Sequence, residues 1–254
     1  MMPPQPAMPP IPATTANSAI PQQPLGDEVP GWTPRPRPAR EAIAGRYCRL
    51  EPVEPGRHGP ELFAAQALDW AGAGWAYLPY GPFADLPGYL EWMASTCLGT
   101  DPLFFAVVDQ ATGRATGLGS YLRIAPEAGS IEIGHLYFSP LLQRSRAATE
   151  AIGLLLREAF ALGYRRVEWK CNALNAASRR AAERFGFSFE GLFRQATVVK
   201  GRNRDTAWYS AIDREWPPLQ AAFDAWLDPA NFAADGTQQR ALSALTAPLR
   251  KQVV

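Results

Sequence analysis

Two arginines flank a serine at the start of a predicted helix. Arg144, Ser145 and Arg146 follow an apolar strand pattern and precede an amphipathic helix pattern. A helix N-terminus presents unpaired backbone N–H groups at the positive end of the helix dipole, and arginine binds phosphate through a fork of donors. Because positive charge is otherwise unfavourable there, we prefer an anion site, and pyrophosphate suits it, over an ordinary basic helix start.

The elements that would position this turn follow from the periodicity of the apolar residues. Alternation predicts four strands that form an antiparallel meander before the turn: Tyr47 to Val53, Leu103 to Asp109, Ala115 to Ile124 and Ile131 to Phe138. Spacing of three and four residues then predicts a helix, which Gly163 ends as a C-terminal cap.

The second half of the pattern adds a crossover and a hairpin. Arg166 to Cys171 predicts a strand and Ala176 to Phe185 a short helix, so the strand, helix, strand order places two neighbouring strands parallel. Phe187 to Val199 and Asp205 to Ile212 predict two strands joined by a turn at 200–204. We therefore expect an α/β (α+β) layer fold with a mixed, mostly antiparallel sheet.

The ends of the chain differ in composition from this core. Residues 1–44 contain 12 of the 25 prolines and no periodic apolar face, which predicts a disordered tail that could be deleted without loss of folding. We expect the main domain at 45–216, with an early helix from Pro60 to about Trp70. Residues 217–254 are expected to form a helical extension that includes Leu219 to Leu227.

Charge and motif content exclude several classes of function. The chain has 25 basic and 24 acidic residues, so neither nucleic acid nor an anionic membrane is the expected partner. No signal peptide or 18-residue apolar run is visible, which predicts a soluble, cytoplasmic protein. The cysteines Cys48, Cys97 and Cys171 are widely spaced, which favours reduced thiols and no metal site.

Two motifs in this order resemble those of the GNAT N-acetyltransferases. Gln143 and Ala148 match the ends of the pyrophosphate loop Q/R-x-x-G-x-G/A, and Asn175 with Ser178 matches the second signature, N-x-x-S, which ends here in Gly186-Phe187. The resemblance covers about residues 46–216. It is greatest to the branch that contains the ribosomal-protein N-terminal acetyltransferases.

The resemblance implies a fold, a cosubstrate and a site. The central parallel strands would splay to admit coenzyme A, and acetyl-CoA would bind without a metal. The residues implied in binding are Leu136, Tyr137, Phe138, Gln143, Arg144, Ser145, Arg146, Ala147, Ala148, Thr149, Asn175 and Ser178. A backbone N–H near Leu136 or Tyr137 would hold the oxyanion that forms during acetyl transfer.

The resemblance also assigns catalytic roles, with two departures from the family pattern. Glu132 has the register of a glutamate that removes the proton of the amine, although it could be a solvated or ion-paired strand residue. Arg146 stands where the family prefers glycine. Ala182 stands where many members have a tyrosine that protonates the leaving thiolate. Cys171 or Ser178 could take that role, although Cys171 could simply be a packed apolar residue.

The acceptor is expected between an aromatic segment and the last hairpin, around residues 194–206. The expected substrate-binding residues are Trp75, Tyr77, Tyr80, Phe83 and His135. Aromatic faces attract cationic amines, but clustered aromatics are also typical of a packed lid. The sequence does not choose among a protein N-terminus, a polyamine, an amino acid and an aminoglycoside, and the resemblance favours a peptide or a small primary amine.

These observations predict an acetyl-CoA-dependent N-acetyltransferase that works by direct transfer in a ternary complex, as a monomer or a homodimer. The substitutions at Arg146 and Ala182 leave an alternative from another class. In that alternative the same fold is a catalytically inactive module that binds coenzyme A or another protein.

Overall fold

The computed structural model describes residues 23–251, in which eight strands and six helices follow one another along the chain. The strands are β1 (Ile43–Ala44), β2 (Cys48–Pro52), β3 (Leu103–Asp109), β4 (Ala115–Ala125), β5 (Ser130–Phe138), β6 (Arg166–Asn172), β7 (Ser188–Val199) and β8 (Arg202–Ile212). The helices are α1 (Pro55–Gln66), α2 (Leu86–Thr96), α3 (Arg146–Ala161), α4 (Ala176–Arg184), α5 (Trp216–Leu227) and α6 (Leu242–Thr246). The chain divides into two units, Met1–Trp32 and Thr33–Val254, and these elements all lie in the second.

All eight strands join one sheet in the order β1-β2-β3-β4-β5-β6-β8-β7. Every neighbouring pair is antiparallel except β5 and β6, which are parallel. The predicted mixed, mostly antiparallel sheet with one central parallel pair is therefore confirmed. The crossover through α3 produces that pair, as a strand, helix, strand connection must.

Helices cover both faces of the sheet and bury a separate apolar core on each. One core lies under α1 and α2 and includes Leu62, Met93 and Phe104. The larger core lies under α3, α5 and α6 and includes Ile152 and Phe223. Side chains alternate between the two faces along each strand, so strand residues can be assigned to one face or the other by register.

Helix α3 has a cap at each end, and the C-terminal cap at Gly163 is the one that the sequence predicts. Ser145 is its N-cap, and the Ser145 Oγ accepts a hydrogen bond from the Ala148 N–H at 3.0 Å. Gly163 has φ +84° and donates its N–H to the Phe160 carbonyl, the left-handed ending that favours glycine. The apolar stripe between these caps is buried against the sheet, as the periodicity predicts.

The early helix lies earlier in the chain than the sequence suggests. It spans Pro55–Gln66, and Trp70, its expected end, is 92% exposed. Proline is favoured at the first position of a helix, where its missing N–H has no partner to lose, so Pro55 begins the helix instead of preventing it. His58 consequently lies inside this helix, buried, with its Nε2 3.0 Å from Glu51 Oε2.

The last hairpin has a tighter turn than expected. β7 and β8 pair up to Val199 and Arg202, so only Lys200 and Gly201 form the turn. Both have positive φ, +48° and +72°, as a two-residue type I′ turn requires. The expected five-residue turn at 200–204 is therefore wrong, and β8 begins at Arg202 rather than at Asp205.

Contacts with the domain begin before the expected boundary at residue 45. Ile43 pairs with Leu50 in the sheet, and the Arg35 N–H donates to the Pro126 carbonyl. Arg40 Nη2 donates to the Val53 carbonyl at 2.8 Å. The segment from Thr33 to Ala44 is thus part of the packed domain, while the expectation for residues 1–22 lies outside the described residues.

The segment after the sheet packs back onto it. α5 begins at Trp216, and its residues Leu219 and Phe223 belong to the larger core, together with Leu242 of α6. Across residues 23–251, no helix combines the length and the apolar character needed to cross a membrane.

Candidate functional site

The two parallel strands separate at the centre of the sheet. Their pairing runs from Ser130 and Arg166 to Glu132 and Glu168 and stops there, although β5 continues to Phe138 and β6 to Asn172. Backbone groups of both strands therefore face a gap instead of each other. The N-terminus of α3 lies directly after the end of β5, at one side of this gap.

A bulge in β5 lies at His135, beyond the last residue of β5 that pairs with β6. The pairing of β4 with β5 shifts between Leu118 and Ser120, and His135 has φ +49°, a left-handed conformation that is uncommon outside glycine. The Tyr80 Oη lies 2.6 Å from His135 Nδ1, and the two rings are stacked. Burial, followed by the charges of Arg123 and Arg204, lowers the pKa of His135 to about 4.

Tyr80 determines which nitrogen of the neutral His135 ring carries the proton. Burial raises the pKa of Tyr80 far above its ordinary value, so its hydroxyl keeps its proton and can donate to His135 Nδ1. The ring proton of His135 then lies on Nε2. In this arrangement His135 offers an uncharged hydrogen-bond donor.

The N-terminus of α3 keeps donors available for an anion. The Arg146 and Ala147 N–H groups have no hydrogen-bond partner in residues 23–251, because the Ser145 cap satisfies only Ala148. Arg144 is exposed, with φ +59°, and its guanidinium contacts no acid or acceptor in the same range. These groups together form a cationic turn that suits phosphate.

The other residues of the predicted anion loop have structural roles. Gln143 Nε2 donates to the Phe138 carbonyl at 2.7 Å and closes the turn after β5. The Arg146 guanidinium lies over the rings of Tyr47 and Phe232, at 5.2 and 4.5 Å from their centroids. The remaining predicted residues are buried or pack against a core: Leu136 and Phe138, which are partly buried, and Tyr137, Ala147, Ala148 and Thr149, which are buried.

Asn175 and Ser178 lie at the start of α4, beside the end of β6. The Asn175 Oδ1 accepts from the Ser178 N–H at 3.0 Å, which makes Asn175 the N-cap of α4. Ser178 Oγ accepts from Trp169 Nε1 at 3.0 Å and retains its own proton to donate. Cys171 lies buried beside Ser178, and this burial raises the pKa of its thiol. Ala182 is fully buried in the larger core.

Glu132 is buried and ion-paired through one of its oxygens. Its Oε2 lies 2.7 Å from Arg123 Nη1 and 3.1 Å from Lys170 Nζ. Lys170 also pairs with Glu168 at 2.6 Å. The other oxygen, Oε1, lies beside Gly134 and has no hydrogen-bond partner within residues 23–251. Glu132 thus combines a fixed orientation with one free oxygen on the strand that borders the gap.

The aromatic segment divides into a packed core and an exposed part. Trp75 is 1% exposed and stacks on Tyr137, with ring centroids 4.0 Å apart. Phe83 packs against the edge of Trp75 at 5.4 Å. Tyr80 contacts His135, and Tyr77 is more than one third exposed. The structure therefore places Tyr80 and Tyr77 at the opening, whereas Trp75 and Phe83 form its support.

Two hydrogen-bonded bridges span the opening where the acceptor was expected. Lys200 Nζ, at the tip of the last hairpin, donates to the carbonyls of Trp75 at 2.9 Å and Gly81 at 2.7 Å. The Tyr77 hydroxyl donates to the Leu174 carbonyl at 3.3 Å, just beyond β6. The hairpin and the aromatic segment thus touch, and together they cover the gap. We call these two linked segments the roof of the opening.

Sequence reasoning missed the basic residues at this opening. Arg123 and Lys170 hold Glu132, and Lys200 holds the roof, but the pattern around each predicts only a strand or a turn. One usable signal was present. The chain has only three lysines among 25 basic residues, so each lysine position departs from a strong preference for arginine.

Acidic, histidine and cysteine side chains do not cluster as metal ligands. In the part of the chain that the structure describes, no three of them lie close enough together to hold an ion. The three cysteines are free and buried.

Comparisons with known proteins found a family model and solved structures that are similar to this chain. A family model described as an acetyltransferase (GNAT) domain matches residues 49–188. A crystal structure of a GCN5-related N-acetyltransferase from Brucella melitensis is 49% identical, with a TM-score of 0.84, and the match covers 86% of this chain and 99% of that one. A search of curated proteins gave no match.

Two further structures extend the comparison. A probable GNAT-family acetyltransferase from Chromobacterium violaceum ATCC 12472 is 45% identical, with a TM-score of 0.72, over 78% of this chain and 98% of that one. The microcin C7 self-immunity acetyltransferase, solved with acetyl-CoA and AMP, has a TM-score of 0.58 over 66% of this chain and 93% of that one. At 19% identity, this last likeness concerns the fold alone.

Proposed function

The chain belongs to the GNAT acetyltransferase family, an acyltransferase family that uses acetyl-CoA, and we propose that it acetylates a primary amine by direct attack within a ternary complex. The family model that matches residues 49–188 belongs to the branch of the family that the sequence resembles. The observation that carries the proposal is the parting of β5 and β6 beside the cationic turn before α3. Family membership favours an enzyme over the inactive module considered from sequence.

The residues at the gap fit a coenzyme A thioester. The free Arg146 and Ala147 N–H groups and the Arg144 side chain would take the pyrophosphate, as a helix N-terminus suits. The unpaired ends of β5 and β6 would take the extended pantetheine arm through backbone hydrogen bonds. Arg146 contributes its backbone, because its side chain is engaged with Tyr47 and Phe232.

Glu132 is the group that we propose as proton acceptor for the amine. An alkylammonium has no free electron pair until it loses a proton, and a carboxylate can take that proton directly or through one water. Arg123 and Lys170 fix the side chain through Oε2 and leave Oε1 available. Leu136 lies in the β5 bulge, outside the register of β4, and its N–H is our candidate donor to the oxyanion.

Ser178 is the better candidate for protonating the leaving thiolate. Its hydroxyl accepts from Trp169 Nε1 and keeps a proton that it can donate to the thiolate or relay from water, whereas the Cys171 thiol is buried. Ala182 cannot take this role, because its methyl group is buried in the larger core and offers no proton. The acceptor class in this proposal is a protein N-terminus or a small amine.

Thiol release from acetyl-CoA with a panel of amines tests the proposal. Arg144→Asn removes the exposed guanidinium and keeps a residue that tolerates positive φ. We expect the KM for acetyl-CoA to rise about tenfold with kcat nearly unchanged, because one charge-assisted contact is lost. Arg214→Asn, at an exposed arginine just after β8 and at the opposite end of the sheet, is the matched control. Coenzyme A release that no amine accelerates would refute the proposal.

A further inference from the structure

Two buried N–H donors on one face of β8 lack a partner. Arg204 Nε and Trp208 Nε1 are inaccessible to solvent, and neither has a hydrogen-bond acceptor among residues 23–251. Residues 204, 206 and 208 alternate onto the same side of the strand. Buried donors without partners are rare in native proteins, and each requires an explanation. A ligand that brings acceptor oxygens to this face would supply one.

The Arg204 guanidinium forms no ion pair or side-chain hydrogen bond within the described part of the chain, and its Nε is buried. Burial lowers the pKa of Arg204, and the nearby Cys171 and Glu132 act in the opposite direction. Glu132 is shared with other cations, because its Oε2 pairs with Arg123 and Lys170, and Glu168 pairs with Lys170. A partly buried cation without a counter-ion is costly, and that cost is recovered when an anion binds.

Arg204 borders the gap between the parallel strands. The pairing of β6 with β8 ends at Asn172 and Thr206, and the Ala173 N–H donates to the Asp205 carbonyl, so Arg204 lies just beyond the end of β6. Its charge acts on His135 of the β5 bulge and on Cys171 of β6, one on each side of the gap. This unpaired cation therefore lies near Glu132, the proton acceptor that we propose for the amine.

The roof over this opening limits the size of the acceptor. Lys200 ties the hairpin that carries Arg204 to the carbonyls of Trp75 and Gly81. Tyr77 ties the aromatic segment to the Leu174 carbonyl on the other side of β6. An extended polypeptide would have to break both bridges, whereas a small molecule would not.

We infer that the acceptor is a small amine that also carries a carboxylate, an amino acid or a close analogue, and that Arg204 binds this carboxylate. The inference rests on the proposed acetyl transfer and names its substrate class. A planar guanidinium matches a carboxylate through two parallel hydrogen bonds. Trp208 Nε1 and the neutral His135 Nε2–H are further donors on the same face. Arg204 positions the substrate, and the reacting amine remains with Glu132.

Matched acceptors test the inference in the complete protein. Alanine, methionine and phenylalanine are each compared with their amides and with the amines that lack the carboxylate, at saturating acetyl-CoA. We expect kcat/KM for at least one amino acid to exceed that for its amide by about tenfold or more, the effect of one charge-assisted pair. Equal rates for amino acids, amides and simple amines would overturn the inference while leaving the acetyltransferase proposal intact.

Variants at Arg204 show whether this side chain causes the preference for a carboxylate. Arg204→Gln should remove the preference for the carboxylate, Arg204→Lys should keep part of it, and the KM for acetyl-CoA should stay within about twofold in both. Arg202→Gln, an exposed arginine at the hairpin turn, is the matched control. A preference that survives in Arg204→Gln, or a change confined to acetyl-CoA, would contradict the assignment. Arg204→Gln should fold, because no hydrogen bond of the described structure is lost.

A binding experiment separates this inference from catalysis. The N-acetylated amino acids carry the carboxylate but no reactive amine, so calorimetry with coenzyme A present measures recognition alone. We expect N-acetylphenylalanine, N-acetylmethionine or N-acetylalanine to bind at least about tenfold more tightly than its amide, and this difference to vanish in Arg204→Gln. Equal binding of acids and amides would refute the inference even if no amine in the panel is acetylated.

Discussion

Glu132 is the residue whose chemistry can be tested most directly by pH. Glu132→Gln removes the proton acceptor but retains the shape of the side chain and its contact with Lys170. We expect kcat at neutral pH to fall by about 10²-fold or more and to recover partly at high pH, where the amine loses its proton unaided. Steady-state rates from pH 6 to 10 at saturating acetyl-CoA measure this change.

Glu168→Gln is the matched control for Glu132→Gln. Glu168 also pairs with Lys170, at 2.6 Å, so this variant disturbs the same cation without removing the proposed base. Its pH profile should keep the wild-type shape. A wild-type profile for Glu132→Gln would exclude Glu132 as the base, and the same loss in both variants would mean that the ion pairs matter rather than the base.

His135 should make stability depend on pH in a defined window. The fold lowers its pKa to about 4, whereas the unfolded chain has an ordinary histidine pKa of about 6.5. Between these values the unfolded chain binds the additional proton, so the free energy of unfolding decreases as the pH falls from about 6.5 to 4. The full linkage corresponds to about 3 kcal/mol, reduced by solvent screening at the partly exposed ring.

His135→Asn isolates this contribution, because asparagine tolerates the positive φ at this position. Urea unfolding at pH 7.5 and 4.5 should show a smaller loss of stability in the variant than in wild type. Parallel losses in the two proteins would contradict a buried, neutral His135.

A sequence can predict the role of a residue when that role has a local signal. Ser145 and Asn175 cap helices, and a cap is legible from its spacing. Arg204 and Lys200 gave no such signal, because their roles depend on where a distant hairpin lies relative to the aromatic segment. The side chain of Arg146 was expected to bind phosphate, but it stacks on Phe232, some 86 residues away in sequence.

At the scale of elements, hydrogen bonds from one lysine join the last hairpin to the aromatic segment. Lys200→Met removes the two hydrogen bonds to the carbonyls of Trp75 and Gly81. Because the donor is charged, each of these hydrogen bonds can stabilise the fold by about 1 to 3 kcal/mol. We expect faster amide exchange at the hairpin tip and in residues 75–81, together with a several-fold higher KM for the amine. Exchange mass spectrometry and steady-state kinetics measure these effects.

The exposed Arg202, two residues further along the chain at the start of β8, provides the control for Lys200→Met. Arg202→Met removes a charge of the same sign and should change neither exchange nor KM. If Lys200→Met also leaves both unchanged, the bridge does not organise the opening.

Most elements followed from local patterns, and the errors occurred where backbone chemistry decided the boundary. The strands and α3 are set by apolar periodicity and caps, which short windows of sequence contain. Pro55 begins a helix, and Lys200 with Gly201 forms a two-residue turn, because each suits a particular φ. Proline and glycine both indicate that a regular element ends nearby. Only the structure shows whether the next element begins before or after that residue.

At the scale of the whole molecule, composition predicts a tail up to residue 44, whereas contacts of residues 35–44 with the domain place the boundary earlier. Proline content lowers the probability of regular structure, yet short segments can still be held by side chains that reach back to the domain. Arg37 and Arg40 do this, through Asp101 and the Val53 carbonyl. Such long-range contacts leave no periodic signature in the segment itself.

Two truncations test where the domain begins. Deleting residues 1–32 should leave the melting temperature and the binding of acetyl-CoA unchanged, because residues 1–32 lack a periodic apolar face. Deleting residues 1–44 should lower the stability by several kcal/mol, since it removes the pairing of β1 with β2 and the contacts of Arg37 and Arg40. It should also promote self-association, because β2 would become an open sheet edge. Thermal melts and sedimentation of both truncations decide the matter: equal stability of the two would move the boundary back to residue 45.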